Sequence, residues 1–196
     1  MDVMDKVRAG VLGHFSNRHS GVESVDTASV TFLGLEPIDI LRVPDGEFVH
    51  YVTVGGSRHP MTDPTAALAD PLLGPRAELS LTLLGGVGAG SGLTRALGVL
   101  VAAPAVEGVV LQADALLDLG EPLWADAPFT AVLLGESDIP EVALPEPAEP
   151  VRFLTVTPIT ATEAAWVRIR GAAALRDAWT EAKIDVRDPD RAAATL

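Results

Sequence analysis

The stretch Ile38-Asp39-Ile40-Leu41-Arg42-Val43-Pro44-Asp45-Gly46-Glu47-Phe48-Val49-His50-Tyr51-Val52-Thr53-Val54 decides the fold class. It holds two runs rich in β-branched and aromatic residues, 38–43 and 47–54, split by Pro44-Asp45-Gly46. Such side chains suit a pleated, half-buried surface. Proline presets one backbone angle and glycine admits positive φ, so the tripeptide predicts a tight turn and an antiparallel hairpin. A third run just upstream, 29–33, extends the hairpin to a meander.

Working outward, Val3, Val7, Val11 and Phe15 recur every four residues and predict an amphipathic helix over 2–15, with Gly10 and Gly13 weakening it. Residues 16–26 read as a loop. Past the hairpin, 55–74 contains Pro60, Pro64 and Pro71 and predicts an irregular excursion with one helical turn at 65–69. Strand character resumes at 78–84. Ser91 is placed to cap a helix whose Leu93, Leu97, Leu100 and Val101 share a face, and Pro104 is expected to end it. A short strand and turn are expected within 107–119, and further strands at 129–135 and 151–159. The segment between these last two, 136–150, holds five acidic residues and four prolines and suits neither helix nor central strand. Thr160 and Glu163 form a capping box ahead of a helix carrying Trp166, Gly171 breaks that helix, and Leu175 and Trp179 lie one turn apart on the next. The whole, 1–196, reads as a single α/β domain of the α+β kind, with helices flanking a mixed, mostly antiparallel sheet.

Composition narrows the chemistry. Of 196 residues 48% are hydrophobic and 21% charged, which suits a packed core and not a disordered chain. There is no cysteine, so disulfides, thiolate metal sites and thiol nucleophiles are excluded, and a reducing cytoplasm is the simplest expected location. The first residues lack the pattern of a secretion signal. The most apolar stretch, 93–111, is interrupted by Arg95, Pro104 and Glu107, so no membrane span is expected. A net charge of −13 opposes binding to nucleic acid and favours encounter with a basic protein.

The glycine run 85–92 (GGVGAGSG) joins a predicted strand to a predicted helix, where backbone amides can hold phosphate. It fails both phosphate templates: the third glycine of the dinucleotide fingerprint is replaced by Ser91 or Leu93, and Ser91-Gly92 stands where a P-loop has Lys-Ser/Thr. A turn is the first reading, and a phosphate or small-molecule ligand site the alternative. Ser57 and Ser137 lack the glycine of a nucleophile elbow, having His59 and Ile139 in its place. His50, His59 and Asp63 form no metal-ligand pattern, and His50, on a strand, suits a hydrogen-bonded structural role. No catalytic, cofactor-binding or metal-binding residues are assigned.

Several of these segments together resemble a known family. His50-Tyr51-Val52-Thr53-Val54-Gly55 followed by Glu78-Leu79-Ser80-Leu81 is similar to the paired signature of the suppressor of fused domain. Leu119-Gly120-Glu121-Pro122-Leu123, then Phe129 to Glu136, then Phe153 to Thr160 with Glu163, resemble its remaining blocks in order. The resemblance spans about 25–182 and matches a single-domain bacterial member, the second domain of the animal proteins being absent. It implies a non-catalytic protein-binding domain, and bacterial relatives suggest an immunity protein that neutralises a cognate toxin. The excursion at 55–74 offers the candidate partner contacts: Arg58, His59, Met61 and Asp63.

Overall fold

The fold is described from a computed structural model for residues 2–18, 24–62, 65, 67–68 and 70–196. Seven strands form one sheet: β1 (Asp26–Val30), β2 (Ile38–Asp45), β3 (Phe48–Val54), β4 (Arg76–Leu84), β5 (Leu116–Asp118), β6 (Phe129–Glu136) and β7 (Val151–Thr160). Their order across the sheet is β1-β2-β3-β4-β7-β6-β5. All neighbours are antiparallel except β4 and β7, which run parallel. A parallel neighbour needs a crossover, and here α2 (Leu93–Glu107), β5 and β6 lie between the two in sequence. The remaining helices are α1 (Val3–Arg18), α3 (Ala161–Arg170) and α4 (Ala172–Glu181).

Strand alternation sorts the core onto two faces. On one, Ile40, Tyr51, Leu79, Leu81, Val132 and Leu134 pack with Leu97, Leu100 and Val101 of α2. On the other, Leu41, Val52 and Phe153 receive Val7, Val11 and Phe15 of α1. Farther along that face Ala131, Leu133 and Ile159 receive Ala164, Leu175 and Trp179 of α3 and α4. The fold is therefore the expected α+β domain with a mixed, mostly antiparallel sheet. Among the described residues, no helix is long and apolar enough to cross a membrane.

Several local expectations are corrected. The hairpin turn sits at Gly46-Glu47, because Asp45 pairs with Phe48 and draws Pro44 and Asp45 into β2. β1 begins and ends three residues early, since Val30 pairs with Ile38 and the chain then turns with Leu35 N–H donating to the Phe32 carbonyl. Gly92, in the left-handed region, takes the N-cap of α2 instead of Ser91, and Pro104 lies inside the helix, which closes at Gly108. Pro104 stands in the last turn, where its carbonyl accepts from Gly108 N–H and the helix closes within four residues. Within 107–119 only Leu116–Asp118 is strand. The described helical turn of the excursion is a 3-10 turn at Gly56–Arg58. The expected one at 65–69 falls partly outside the described residues, at 66 and 69.

Candidate functional site

The hydrogen bonds of the excursion converge on one side chain. Glu78, fully buried on β4, accepts from Thr53 Oγ1 at 2.6 Å, Gly55 N at 2.8 Å, Gly56 N at 3.3 Å, Ser57 N at 2.9 Å and Ser57 Oγ at 2.5 Å. A carboxylate inside a protein is costly unless its oxygens are satisfied, and five donors satisfy it here. The 3-10 turn exists because these amides must point inward. Gly56 is required by close approach, since a Cβ there would lie 2.2 Å from Val101 Cγ2 of α2. Arg76 secures the end of the turn, its Nη1 donating to the carbonyls of Ser57 at 2.9 Å and Arg58 at 2.8 Å.

This turn, the β1–β2 connection and the C-terminal half of α2 enclose a cleft of about 250 Å³. Three of the four candidate contacts line it. Arg58 places Nε 3.2 Å from Glu36 Oε2 and donates from Nη2 to the Pro37 carbonyl at 3.3 Å. His59 is exposed, with Nε2 3.1 Å from the same Glu36 oxygen. Met61 is 6% exposed and forms the cleft floor, its Sδ accepting from Leu111 N–H at 3.2 Å. It is a wall, not a protruding contact. Asp63 lies outside the described residues. Sequence reasoning missed Glu36 as the shared partner of Arg58 and His59, because separations of 22 and 23 residues leave no periodic signal. It also missed the α2 wall of Val101, Ala102 and Ala105.

The glycine run has a structural duty. Tyr51 OH donates to the Val87 carbonyl at 3.1 Å and accepts from Val87 N–H at 2.9 Å, tying the run to β3. At Gly86, with φ at +66°, a Cβ would meet Val49 Cγ2 at 2.8 Å and Tyr51 OH at 2.9 Å. A cavity of about 380 Å³ lies beside the run. Its cation is Arg42, which stands 3.6 Å from Asp26, another lining residue. The serines and histidines named above are likewise engaged. Ser57 donates into Glu78, Ser137 Oγ accepts from Ile139 N–H at 3.2 Å, and His50 bridges Thr82 Oγ1 at 2.8 Å and Asp45 Oδ2 at 3.1 Å. Among the described residues no three His, Asp or Glu side chains converge as metal ligands.

A second buried carboxylate anchors the other end of the chain. Glu163 completes the capping box with Thr160 and also meets Arg191 Nη1 at 2.8 Å, Trp179 Nε1 at 2.9 Å and Ala194 N at 3.1 Å. Burial works against its charge, but the bonds from Arg191, Trp179, Thr160 and Ala194 outweigh it and hold the carboxyl below its ordinary value.

The family model for suppressor of fused protein (SUFU) matches residues 34–192. No curated protein sequence matches the chain. Among solved structures, a SUFU homolog from Neisseria gonorrhoeae superposes with a TM-score of 0.63 at 19% identity, covering 96% of each chain. A chain of the Sufu–Fu complex gives 0.63 at 12% identity over 95% of this chain and 91% of that one. Drosophila Suppressor of Fused gives 0.59 at 14% identity, over 98% of this chain and 50% of its own length. At such identities these likenesses carry the fold.

Proposed function

Since the chain belongs to the suppressor of fused family, we propose that it is a non-catalytic protein-binding domain, and that its contact surface is the cleft mouth formed by Glu36, Arg58 and His59. One observation carries this reading. Polar side chains of the family signature are consumed in holding the fold, with Thr53 donating to Glu78, Tyr51 to the glycine run and His50 bridging Thr82 and Asp45. Function then falls to the exterior, and a solved relative was crystallised as a complex with Fu. The narrower role, suggested by the resemblance, is immunity: neutralising a basic toxin, for which the −13 charge supplies long-range attraction. Recovery of partners from the native host at low and moderate salt tests both levels. A specific partner retained by the wild type and lost by Arg58→Glu supports the cleft. Repeated failure to recover any specific protein overturns the binding role, and an acidic partner overturns the toxin role.

The cavity beside the glycine run favours a second reading, a small-molecule site. A nucleotide is matched in size to about 380 Å³, and a nucleotide panel in a thermal-shift assay tests it, since any ligand bound only by the native state raises the melting temperature. No shift across the panel removes this reading.

A further inference from the structure

Helix α2 is apolar all the way round, yet one of its sides faces solvent. None of residues 96–106 has a polar side chain, a composition that suits a helix covered on every side. Leu97, Leu100 and Val101 pack on the sheet, whereas Val99 is 36% and Val106 67% exposed. Arg95, Val99 and Val106 follow one another at steps of four and seven residues, so they share one stripe of the helix. This stripe and the β1–β2 connection wall a groove of about 350 Å³, with the fully exposed Leu33 on its opposite lip. Ala102 and Ala103 also line it and bring no bulk that would hold a second helix away. Contiguous apolar surface left in solvent marks a site of contact.

The charges at the two ends of the stripe indicate the occupant. Arg95 lies in the first turn of α2 and Glu107 in its last, with no acidic residue in the first turn and no basic one in the last. A helix macrodipole favours the reverse, anions at the N-terminus and cations at the C-terminus. Glu107 has no ion pair among the described residues, and Arg95 has only an exposed one, 3.4 Å from Glu121, an arrangement of little strength. We propose that the uncovered side of α2 receives the same side of a second copy of this chain, the two helices running antiparallel about a two-fold axis level with Val101. That arrangement sets Arg95 of each copy beside Glu107 of the other, twice over by symmetry, and Val99 against Ala103. Both misplaced charges then meet the helix end that favours them. The net charge of −13 opposes association of like copies, but physiological salt screens exposed charges beyond about 8 Å, so the contacts at the interface decide. The groove shares Leu35 and Ala102 with the cleft of Arg58 and His59, so the dimer holds its two clefts beside the shared interface.

The test is sedimentation equilibrium of the full chain at physiological ionic strength, from low-micromolar to near-millimolar concentration. The expected result is a reversible equilibrium of monomer and dimer. Val99→Lys places an unpaired charge in the middle of the stripe and should raise the dimer dissociation constant about tenfold or more. Arg95→Glu sets like charges against Glu107 of the other copy and should raise it roughly tenfold, and combining Arg95→Glu with Glu107→Arg should restore it. Thermal unfolding of each variant checks that the fold is kept. Should Val99→Lys lose it, the exchange at the two exposed charged positions carries the test. A chain that stays monomeric throughout overturns the proposal and leaves the groove to a different protein. A dimer unmoved by Arg95→Glu, or not restored by the double exchange, also overturns it, because association then uses another face or another direction.

Discussion

At the residue scale Glu78 and Glu163 are buried hubs, each accepting several hydrogen bonds from donors brought to it from distant positions in the sequence. Glu78→Gln keeps the shape but replaces one acceptor oxygen by an amide group facing the N–H groups of the 3-10 turn. It should destabilise the domain by about 3 kcal/mol, read by denaturant unfolding. The pH dependence follows from carboxyls held below their ordinary values. At Asp118 and Asp185 arginine hydrogen bonds lead the shift. At Glu163 and Asp138 burial opposes it and is outweighed by hydrogen bonds, above all from Arg191 and Arg18 respectively. A lowered carboxyl stabilises the native state above its unfolded value, and that contribution is lost as pH falls through the folded one. His14 is also lowered, by burial first and by Arg18 and His50, against Asp138. Its protonation favours the unfolded chain, so stability should begin to fall below about pH 6.5 and fall faster below about pH 4. A melting temperature that rises on acidification from pH 7 to 5 would contradict this. Glu78 was legible in the sequence as the start of a strand and Glu163 as a capping-box partner, but neither as a buried hub, because Arg191 and Ala194 reach Glu163 from 28 and 31 residues away.

At the scale of elements, the local signals that survived were those whose chemistry is complete within a few residues. The capping box is an example: Thr160 Oγ1 accepts from Glu163 N–H at 3.2 Å and Glu163 Oε2 from Thr160 N–H at 2.9 Å. Thr160→Ala should cost about 1 kcal/mol in unfolding free energy, a value typical for lost N-caps. Ser91 failed as a cap because its hydroxyl reaches Leu93 N–H only at 3.5 Å, while Gly92 adopts the left-handed conformation that starts the helix. The glycine run shows the same limit. Its failure to match phosphate templates was legible, but its tether to Tyr51 spans 36 residues and was not. Tyr51→Phe removes both bonds to Val87 and should accelerate hydrogen exchange at the Val87 amide while costing about 1 kcal/mol of global stability. Unchanged exchange there would show that the run is held by other contacts.

At the scale of the whole molecule, helices on both faces share one sheet, and β7 contributes side chains to all three core clusters through Leu154, Phe153 and Ile159. Unfolding should therefore be one cooperative transition. Far-ultraviolet dichroism and tryptophan fluorescence, the latter reporting Trp124 on one face and Trp179 on the other, should give coincident curves, and two separated transitions would contradict it. By itself the sequence determined the α+β class, the meander, the helix faces, the family signature and the exclusion of thiol chemistry, because periodicity, turn residues and composition act over short distances. Only tertiary structure decided that β7 returns parallel beside β4, that Met61 is a cleft floor while Arg58 and His59 meet Glu36, and that Arg76 is buried with its Nη1 on the carbonyls of Ser57 and Arg58. Those outcomes depend on which distant segments become neighbours, and burial sets the value of a charge only once its neighbours are in place.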